Sequence, residues 1–370
     1  MICRELHSAL EAITARYEKD QIVVVADRAV IGYGLPVMGN YPCFAVEVSE
    51  ARKSLETIEL IWDFFFAHGL TRRGLVIAVG GGVLTDMTGF AAATYKRGVD
   101  YVNIPTTLLA MIDASSGGKT GINYHGLKNS IGVFAPPVET LIWPDWLKTL
   151  STQQFLSGFG EMLKTGLIND AAKLPNDEPQ APNAAAKAAC FKQSLREDER
   201  LWDALLQYDL ETMPIETLTP LIDACVAVKE QIVAADPREE GLRKALNLGH
   251  TFGHALEAVT GDGLSVTGGM PHGYAVVYGL IAELYLSVTK LGCPKAPLQQ
   301  LTQLMLHYYG KPQCKCSDRE RLIDLMRQDK KNEHAGEINC TLIHSIGSPF
   351  INQVITTDEA NEALDYLFSL

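Results

Sequence analysis

Short runs of apolar, mostly β-branched residues alternate with segments of helical periodicity in the first third of this 370-residue chain. The runs QIVVVAD (21–27), CFAVEVSE (43–50) and GLVIAV (74–79) are brief and nearly uninterrupted, as are strands buried on both faces of a parallel sheet. Residues 51–70, which separate two of these runs, place apolar side chains at helical spacing. This order predicts an α/β domain with a Rossmann-like, nucleotide-binding sheet.

After about residue 150 the pattern changes, because long amphipathic segments at 215–236, 244–259 and 273–292 replace the strand-like runs. We therefore predict two domains: an α/β domain over residues 1–150 and a mainly α-helical domain over 151–370. Residues 171–198 are rich in Ala, Pro and Asn, which predicts an irregular excursion or mobile loop. We assign that segment no catalytic role.

The formal net charge of -12 disfavours binding to nucleic acid or to an anionic membrane through a general electrostatic field. No stretch of about eighteen apolar residues stands out as a membrane span, and the N-terminal segment is too charged for a signal peptide. The eight cysteines have neither zinc-finger spacing nor a regular disulfide framework. We expect a cytoplasmic protein that holds anions with local basic residues.

Three consecutive glycines, Gly80, Gly81 and Gly82, follow a predicted strand and precede a predicted helix. Glycines at such a turn allow the backbone to approach a pyrophosphate, and the N-terminus of the helix favours an anion. The dinucleotide fingerprint is incomplete, because Thr85 stands where its third glycine belongs. A simple packing turn therefore remains an alternative to nucleotide binding.

Residues 105–132 combine several glycines with polar and charged side chains, a composition that indicates a binding surface. Within them, Gly117, Gly118 and Lys119 resemble part of a phosphate-binding loop. The Walker pattern, however, requires a glycine at the position that Asp113 occupies. An ATPase function is therefore disfavoured.

Three distant segments together suggest a metal site. Glu161 lies on a predicted helix with a lysine three residues later, where an ordinary ion pair is the alternative. His250 and His254 are spaced as in zinc proteases, but Thr251 replaces their general-base glutamate, which disfavours peptide hydrolysis. His272 starts a further predicted helix. One carboxylate and two imidazoles leave a coordination position open on a catalytic zinc ion.

In combination these segments resemble the dehydroquinate synthases, a family of sugar-phosphate cyclases, over nearly the whole chain. The resemblance rests on GGGVLTDMTGFAAATYKRG, IPTTLLAMIDASSGGKTGIN, LKN at 127–129, GFGEMLKTGLI, GLRKALNLGHTFGHALE, PHGYAV and RQDKKNEHAG, all in family order. Two departures stand out. Tyr274 replaces an acidic residue found in many members, and Ala114, Ser115 and Ser116 vary a run of small residues.

The resemblance implies a zinc ion, with cobalt as a substitute, held by Glu161, His250 and His272. It implies substrate contacts from Asp113, Lys119, Asn129, Lys164, Lys229, Arg243, Asn247, His254 and either Lys330 or Lys331. It implies NAD contacts from Asp27, Glu50, Lys53, Gly81, Gly82, Asp86, Thr106, Thr107 and Lys128, with Thr149 near the domain junction. In the family, the arginine that matches Arg97 reaches the neighbouring subunit's site, which implies a homodimer.

The family's reaction converts 3-deoxy-D-arabino-heptulosonate 7-phosphate to 3-dehydroquinate and phosphate, with NAD regenerated in each turnover. The basic residues would then neutralise a phosphate and a carboxylate, and the helical domain would close on the cofactor domain. Three alternatives remain: a sister cyclase such as a deoxy-scyllo-inosose or epi-valiolone synthase, a metal-dependent polyol dehydrogenase, and a non-catalytic nucleotide-binding protein. Asn247 and His254 favour the dehydroquinate type.

Overall fold

The computed structural model describes residues 2–3, 5–33, 41–114, 117–125, 127–169, 200–260, 269–314, 316–329, 331–332, 334 and 336–370. The chain forms two compact units, Met1–Leu150 and Ser151–Leu370. The expectations for the segment 171–198 and for Ser115, Ser116 and Lys330 lie outside the described residues. The functions expected of the two domains, and the closure of one on the other, stay predictions.

The first unit contains a five-stranded parallel sheet, which confirms the predicted α/β class. Its strands, in the spatial order β2-β1-β3-β4-β7, are β1 (Ile22–Asp27), β2 (Cys43–Val46), β3 (Leu75–Gly80), β4 (Asp100–Pro105) and β7 (Glu139–Thr140). Strands β1 and β3 are buried along almost their full length, as predicted. The expected burial is wrong for β2, because β2 is an edge strand and Cys43 is exposed.

Four helices accompany this sheet: α1 (Leu6–Thr14), α2 (Arg28–Ile31), α3 (Leu55–Ala67) and α4 (Gly82–Thr94). Apolar side chains of β1, α3, β3 and α4 form one buried cluster that includes Val25, Ile58, Val76 and Met87. A separate antiparallel pair, β5 (Lys119–Tyr124) and β6 (Leu127–Phe134), follows β4 in the chain. The glycine- and lysine-rich region at 117–134 is therefore largely a hairpin.

The strand order reverses between β1 and β3, which are direct neighbours. In open α/β sheets ligands bind outside the carboxyl ends of the strands at such a reversal, because the connections diverge there to opposite faces. Asp27 ends β1, Gly80 ends β3 and Pro105 ends β4, so these residues share one edge of the sheet. Helix α4 begins at Gly82, immediately after β3.

The second unit is mainly helical, as predicted. Its described helices are α5 (Thr152–Leu167), α6 (Leu201–Gln207), α7 (Thr219–Ala235), α8 (His250–Thr260), α9 (His272–Leu291), α10 (Lys295–Tyr308), α11 (Arg319–Arg327) and α12 (Thr357–Ser369). The sequence did not predict its antiparallel hairpin, β8 (Ile338–Ser345) and β9 (Ser348–Ile355).

Among the described residues, α9 alone is long and apolar enough to cross a membrane by length and composition. The expectation that no segment has this character is therefore wrong for α9. However, 67% of its apolar window is buried inside the protein. A helix that is covered on several sides needs apolar residues around most of its circumference, so core packing accounts for the composition.

Glycines allow α9 to approach two other helices backbone to backbone. A Cβ atom at Gly273, in the first turn of α9, would collide with the backbone of α5 at Ser157. A Cβ atom at Gly279 would collide with the carbonyl oxygen of Gly249 and would lie 2.8 Å from the amide nitrogen of Gly253. Side chains at these positions are excluded, so α5 and α8 both lie unusually close to α9.

We expect Gly279→Ala to destabilise the protein by about 1–3 kcal/mol or more, because the new methyl group would displace backbone atoms that cannot rotate away. Urea unfolding followed by circular dichroism measures the change. Gly32→Ala is the matched control, since a Cβ atom there has nothing within 4 Å. Equal stability of the two variants would contradict the packing argument.

Candidate metal centre and nucleotide-binding edge

Three side chains of the helical unit converge as a metal-ligand set: Glu161 on α5, His250 at the start of α8 and His272 at the start of α9. Glu161 Oε1 lies 3.1 Å from Nε2 of His272 and 3.4 Å from Nε2 of His250. Tetrahedral zinc with bonds of about 2.0–2.2 Å separates its ligand atoms by roughly 3.3–3.6 Å. The spacing of these atoms therefore fits a small divalent cation.

The other ring nitrogens of both histidines are already engaged. Nδ1 of His250 lies 3.1 Å from the carbonyl oxygen of Leu248, and Nδ1 of His272 lies 3.2 Å from Oε2 of Glu257. Because a carbonyl oxygen only accepts hydrogen bonds, Nδ1 of His250 holds a proton, and the lone pair of its neutral ring is on Nε2. This arrangement, in which outer acceptors fix the tautomer, is typical of metal-ligating histidines.

The charges around Glu161 support the same interpretation. Burial alone would raise the pKa of the Glu161 carboxyl, but the Lys164 ammonium, 2.5 Å from Oε2, and the two rings hold it well below its usual range. Burial lowers the pKa of His250 to about 4, so this ring is neutral near pH 7. For His272, hydrogen bonds with Glu161 and Glu257 overcome burial and raise the pKa to about 10. A divalent cation at Nε2 would replace that proton.

A second cluster lies beside the metal-ligand set. Nδ1 of His254, one helical turn after His250, is 3.0 Å from Oδ2 of Asp329, and Nζ of Lys331 is 3.3 Å from the same oxygen. The ring centroids of His254 and His250 are 5.3 Å apart. Asp329 therefore orients His254, which was predicted to contact substrate, and Lys331, one of the two alternatives for a further contact. Of the two alternatives Lys330 and Lys331, only Lys331 belongs to the described residues.

The remaining predicted substrate residues of the helical unit include three buried cations, Lys164, Lys229 and Arg243. Nη1 of Arg243 donates to the carbonyl oxygen of Pro237. Asn247, which is half-buried, donates from Nδ2 to Glu239 at 3.1 Å. Lysine and arginine side chains are the usual protein partners of carboxylate and phosphate groups, and the assignment of these three to a substrate stays a prediction.

Tyr274, the departure from the family pattern, lies in the first turn of α9. Its ring centroid is 4.8 Å from that of Tyr309, whose hydroxyl donates to the carbonyl oxygen of Leu156 on α5. Tyr274 on α9 therefore packs against a residue after α10 that is itself hydrogen-bonded to α5. It does not occupy a ligand position in the metal set.

In the first unit, several predicted NAD residues lie at the carboxyl edge of the sheet. Thr106 donates its backbone N–H to the carbonyl oxygen of Gly80, and a Cβ atom at Gly81 would lie 3.2 Å from the Thr107 methyl group. A Cβ atom at Gly82 would lie 2.7 Å from the Cβ atom of Ala114. Ala114 is one of the residues that depart from the family pattern, and this close packing favours a small side chain there. Packing against the segment after β4 thus already requires small residues at both positions, and nucleotide binding at this turn stays a prediction.

Two further predicted NAD residues form a partly buried ion pair. Nζ of Lys53 lies 2.5 Å from Oδ2 of Asp86 and 2.5 Å from Oδ1 of Asn129, which was predicted to contact substrate. Asn123 donates to Glu50 at 2.9 Å and accepts the backbone N–H of Asn129 at 2.8 Å. Asn129 has a left-handed backbone, with φ of 50°, which this bond supports. The hairpin is thereby joined to the loop after β2.

The other predicted residues of this unit lie in distinct settings. Asp27 caps α2 by accepting the N–H of Ala29, and burial raises its pKa. Asp113 belongs to a π-helical turn (Ala110–Ala114), a feature often found at functional sites. The remaining positions are Lys119 at the start of β5, Lys128 in β6, Arg97 with a φ of 68°, and Thr149, whose hydroxyl donates to Trp146.

Sequence reasoning missed Glu257, Asp329 and Asn123. Glu257 follows His250 by seven residues and His254 by three, so helical spacing on α8 could have placed it on the same face. Asp329 and Asn123 belong to irregular or hairpin backbone, and no spacing rule relates them to the residues that they orient. Only the folded chain brings these groups together.

Comparison with known proteins agrees with this architecture. Over the full length of this chain and 96% of the other, the fold matches 2-epi-5-epi-valiolone synthase from Streptomyces hygroscopicus, solved with NAD⁺ and Zn²⁺ bound, with a TM-score of 0.73 and 26% identity. A 2-deoxy-scyllo-inosose synthase, solved with carbaglucose-6-phosphate, NAD⁺ and Co²⁺, has a TM-score of 0.75 and 21% identity over 99% of this chain and 95% of the other. The fold is that of the sugar-phosphate cyclase class.

Sequence comparison narrows this class. Residues 43–157 match the family described as 3-dehydroquinate synthase N-terminal, and residues 186–332 match 3-dehydroquinate synthase C-terminal. The 3-dehydroquinate synthase of Parabacteroides distasonis is 37% identical over 99% of this chain and 96% of its own. The chain therefore belongs to the 3-dehydroquinate synthase family, which confirms the resemblance inferred from its motifs.

We expect Glu257→Gln to weaken zinc binding by about 10- to 100-fold, because the amide no longer offers His272 Nδ1 a charged acceptor. Titration of the metal-free protein against a chromophoric zinc chelator measures the affinity. Glu362→Gln, an exposed change on α12, is the matched control. Unchanged affinity in Glu257→Gln would show that this carboxylate does not tune the site.

Proposed function

We propose that the protein is a 3-dehydroquinate synthase of the shikimate pathway, which serves aromatic amino acid biosynthesis. It converts 3-deoxy-D-arabino-heptulosonate 7-phosphate to 3-dehydroquinate and inorganic phosphate. The observation that supports this best is the convergence of Glu161, His250 and His272 in a chain that belongs to the family along almost its whole length. The reaction is a phosphate-eliminating lyase reaction in which oxidation and reduction cancel.

In this proposal Glu161, His250 and His272 hold a divalent metal, zinc or cobalt, through one carboxylate oxygen and two Nε2 atoms. When bound, the metal supplies Lewis-acid polarisation of a substrate hydroxyl and of the ketone formed from it, and NAD supplies a reversible hydride acceptor. The outer acceptors of the two histidines, Glu257 and the Leu248 carbonyl group, keep both Nε2 lone pairs directed at the metal.

The carboxyl edge of the parallel sheet is the proposed NAD site. Gly81 and Gly82 allow the pyrophosphate to approach the N-terminus of α4, where backbone N–H groups and the helix dipole favour an anion. Several polar side chains would fix the rest of the dinucleotide at this edge. They are Asp27, Glu50, Lys53, Asp86, Thr106, Thr107, Lys128 and Thr149.

The basic residues would bind the two anionic groups of the substrate. Arg243 offers a planar, bidentate donor for a carboxylate or phosphate, whereas Lys119, Lys164 and Lys229 supply compact positive charges. Asp113, Asn129, Asn247, His254 and either Lys330 or Lys331 complete the proposed set. Elimination requires removal of a proton next to the new ketone, and the substrate's own phosphate, oriented by Lys119, Lys164, Asn129 and His254, would accept it.

A metal-dependent polyol dehydrogenase is the second candidate function, since such an enzyme also needs NAD and a metal. The buried cations Lys164, Lys229 and Arg243 argue against it, because a neutral polyol gains nothing from them. The proposal also includes a homodimer, in which Arg97 of each subunit serves the neighbouring site, and a cytoplasmic location. Size-exclusion chromatography with light scattering tests the dimer.

Purified protein supplied with the heptulosonate phosphate, NAD and zinc should release phosphate and form dehydroquinate. A chelator should stop phosphate release, and added zinc or cobalt should restore it, because the metal is bound by exchangeable ligands. A phosphate assay coupled to chromatography of the product measures both. Turnover of glucose 6-phosphate or sedoheptulose 7-phosphate in place of the heptulosonate would instead assign the chain to a sister cyclase.

His272→Ala should reduce turnover by more than about 100-fold, because the change removes a direct ligand and not an outer one. Circular dichroism should show an intact fold. His307→Ala, an exposed change on α10, serves as the control and should retain activity. Undiminished turnover in His272→Ala would exclude this histidine from the metal site.

A further inference from the structure

Glu283, in the middle of α9, is a completely buried carboxyl group that the proposed reaction does not use. Its Oε2 accepts the backbone N–H of Gly249 at 2.5 Å, and its Oε1 accepts the N–H of Thr251 at 3.2 Å. Both oxygens therefore contact the residues on either side of His250. A buried carboxyl group is costly unless hydrogen bonds compensate for its lost hydration, so these contacts fix its position closely.

The two N–H groups belong to the start of α8, where the amides of a helix have no partners in the helix itself. Gly249 has a φ of 81°, and a Cβ atom there would lie 2.8 Å from Leu280 on α9. The turn that leads into His250 therefore needs both a glycine and an external acceptor. Glu283 is that acceptor.

The ammonium group of Lys331 also lies near the start of α8. Nζ of Lys331 donates to the hydroxyl of Thr251 at 3.2 Å, and that hydroxyl donates to the carbonyl oxygen of Asn339 at 2.8 Å. Burial raises the pKa of Glu283 to about 8, while the Gly249 N–H, Lys331 and the Thr251 N–H favour the charged form. The geometry of the contact rests on the two carboxyl oxygens, each of which accepts a backbone N–H at the start of α8.

The helix that holds Glu283 also begins with His272. A single rigid helix therefore presents one imidazole ligand at its start and, about three turns later, holds the backbone on both sides of the other imidazole. The relative position of His250 and His272 depends on this contact between α9 and α8. The hydrogen bonds of Glu283 go to the backbone beside His250 and not to a metal-ligand atom, so its effect on the metal is indirect.

We propose that Glu283 is a positioning residue for the metal centre, which sets the separation of His250 and His272 by holding the turn at Gly249 and Thr251. The inference rests on the metal site of the proposed function and goes beyond it, because Glu283 is neither a ligand nor a substrate contact. Loss of the carboxylate would leave two buried N–H groups facing an amide or a gap, and the His250 ring would shift.

The test compares Glu283→Gln with wild type after removal of metal by dialysis against a chelator. Affinity for Zn²⁺ is measured by competition with a chromophoric chelator, and the geometry of the site by the visible absorption of the Co²⁺-loaded protein. Thermal unfolding of the metal-free protein reports stability separately. We expect zinc affinity to fall by about 10- to 100-fold and the cobalt spectrum to change.

Ser287→Ala is the matched control, one turn later on α9. Its hydroxyl is buried, donates to the Glu283 carbonyl oxygen and accepts the N–H of Ile343, but touches neither Gly249 nor Thr251. This variant should lose stability without losing zinc affinity. Glu283→Asp is a second variant, whose shorter carboxylate should give an affinity between those of wild type and Glu283→Gln.

Wild-type zinc affinity in folded Glu283→Gln would overturn the proposal, as would an equal loss in Ser287→Ala. If Glu283→Gln does not fold, the zinc affinity of Glu283→Asp is the deciding measurement. If neither variant folds, Glu283 is required for folding and the proposal is overturned. The proposed activity fails separately: wild-type protein that binds zinc but does not convert the heptulosonate phosphate would refute the synthase and leave this inference intact.

Discussion

A single buried negative charge, that of Glu161, governs the arrangement of the helical unit around it. A carboxylate that is 1% exposed is stable only if positive groups surround it, and the Lys164 ammonium lies 2.5 Å away on the same helix. Two imidazole nitrogens complete its surroundings. These groups come from α5, α8 and α9. The buried carboxylate is therefore compensated only when the three helices pack together. The glycines of α9 make this packing possible, because they permit backbone contact with α5 and α8.

The two units show different ways of preparing a binding site. The α/β unit collects its polar residues by topology, because parallel strands end at one edge and the strand order reverses between β1 and β3. The helical unit collects its ligands by packing, and it controls them through outer groups such as Glu257, Asp329 and Glu283. In the proposed nucleotide site the backbone would be the main binding element, whereas the candidate metal ligands are oriented by other side chains.

Much of this could be predicted from the sequence. Periodicity placed β1, β3 and α3, and the motifs identified Glu161, His250 and His272, because strand runs and helical spacing are local properties. The orienting residues could not be found in this way, since the contact between His254 and Asp329 joins positions 75 apart. The β8–β9 hairpin was missed although it has a local signal, since its two strands are joined by a two-residue turn in which Gly347 has a φ of 81°.

Glu161 and His272 are separated by 111 residues, yet their ligand atoms lie 3.1 Å apart. A bound ion would therefore link two positions that are far apart in the chain. Every ligand that binds only the folded state shifts the folding equilibrium toward that state. In a cell short of the metal, the helical unit would open more often, and proteases act on open forms. The supply of the metal would thus govern the amount of folded protein in the cell as well as the turnover rate of each molecule.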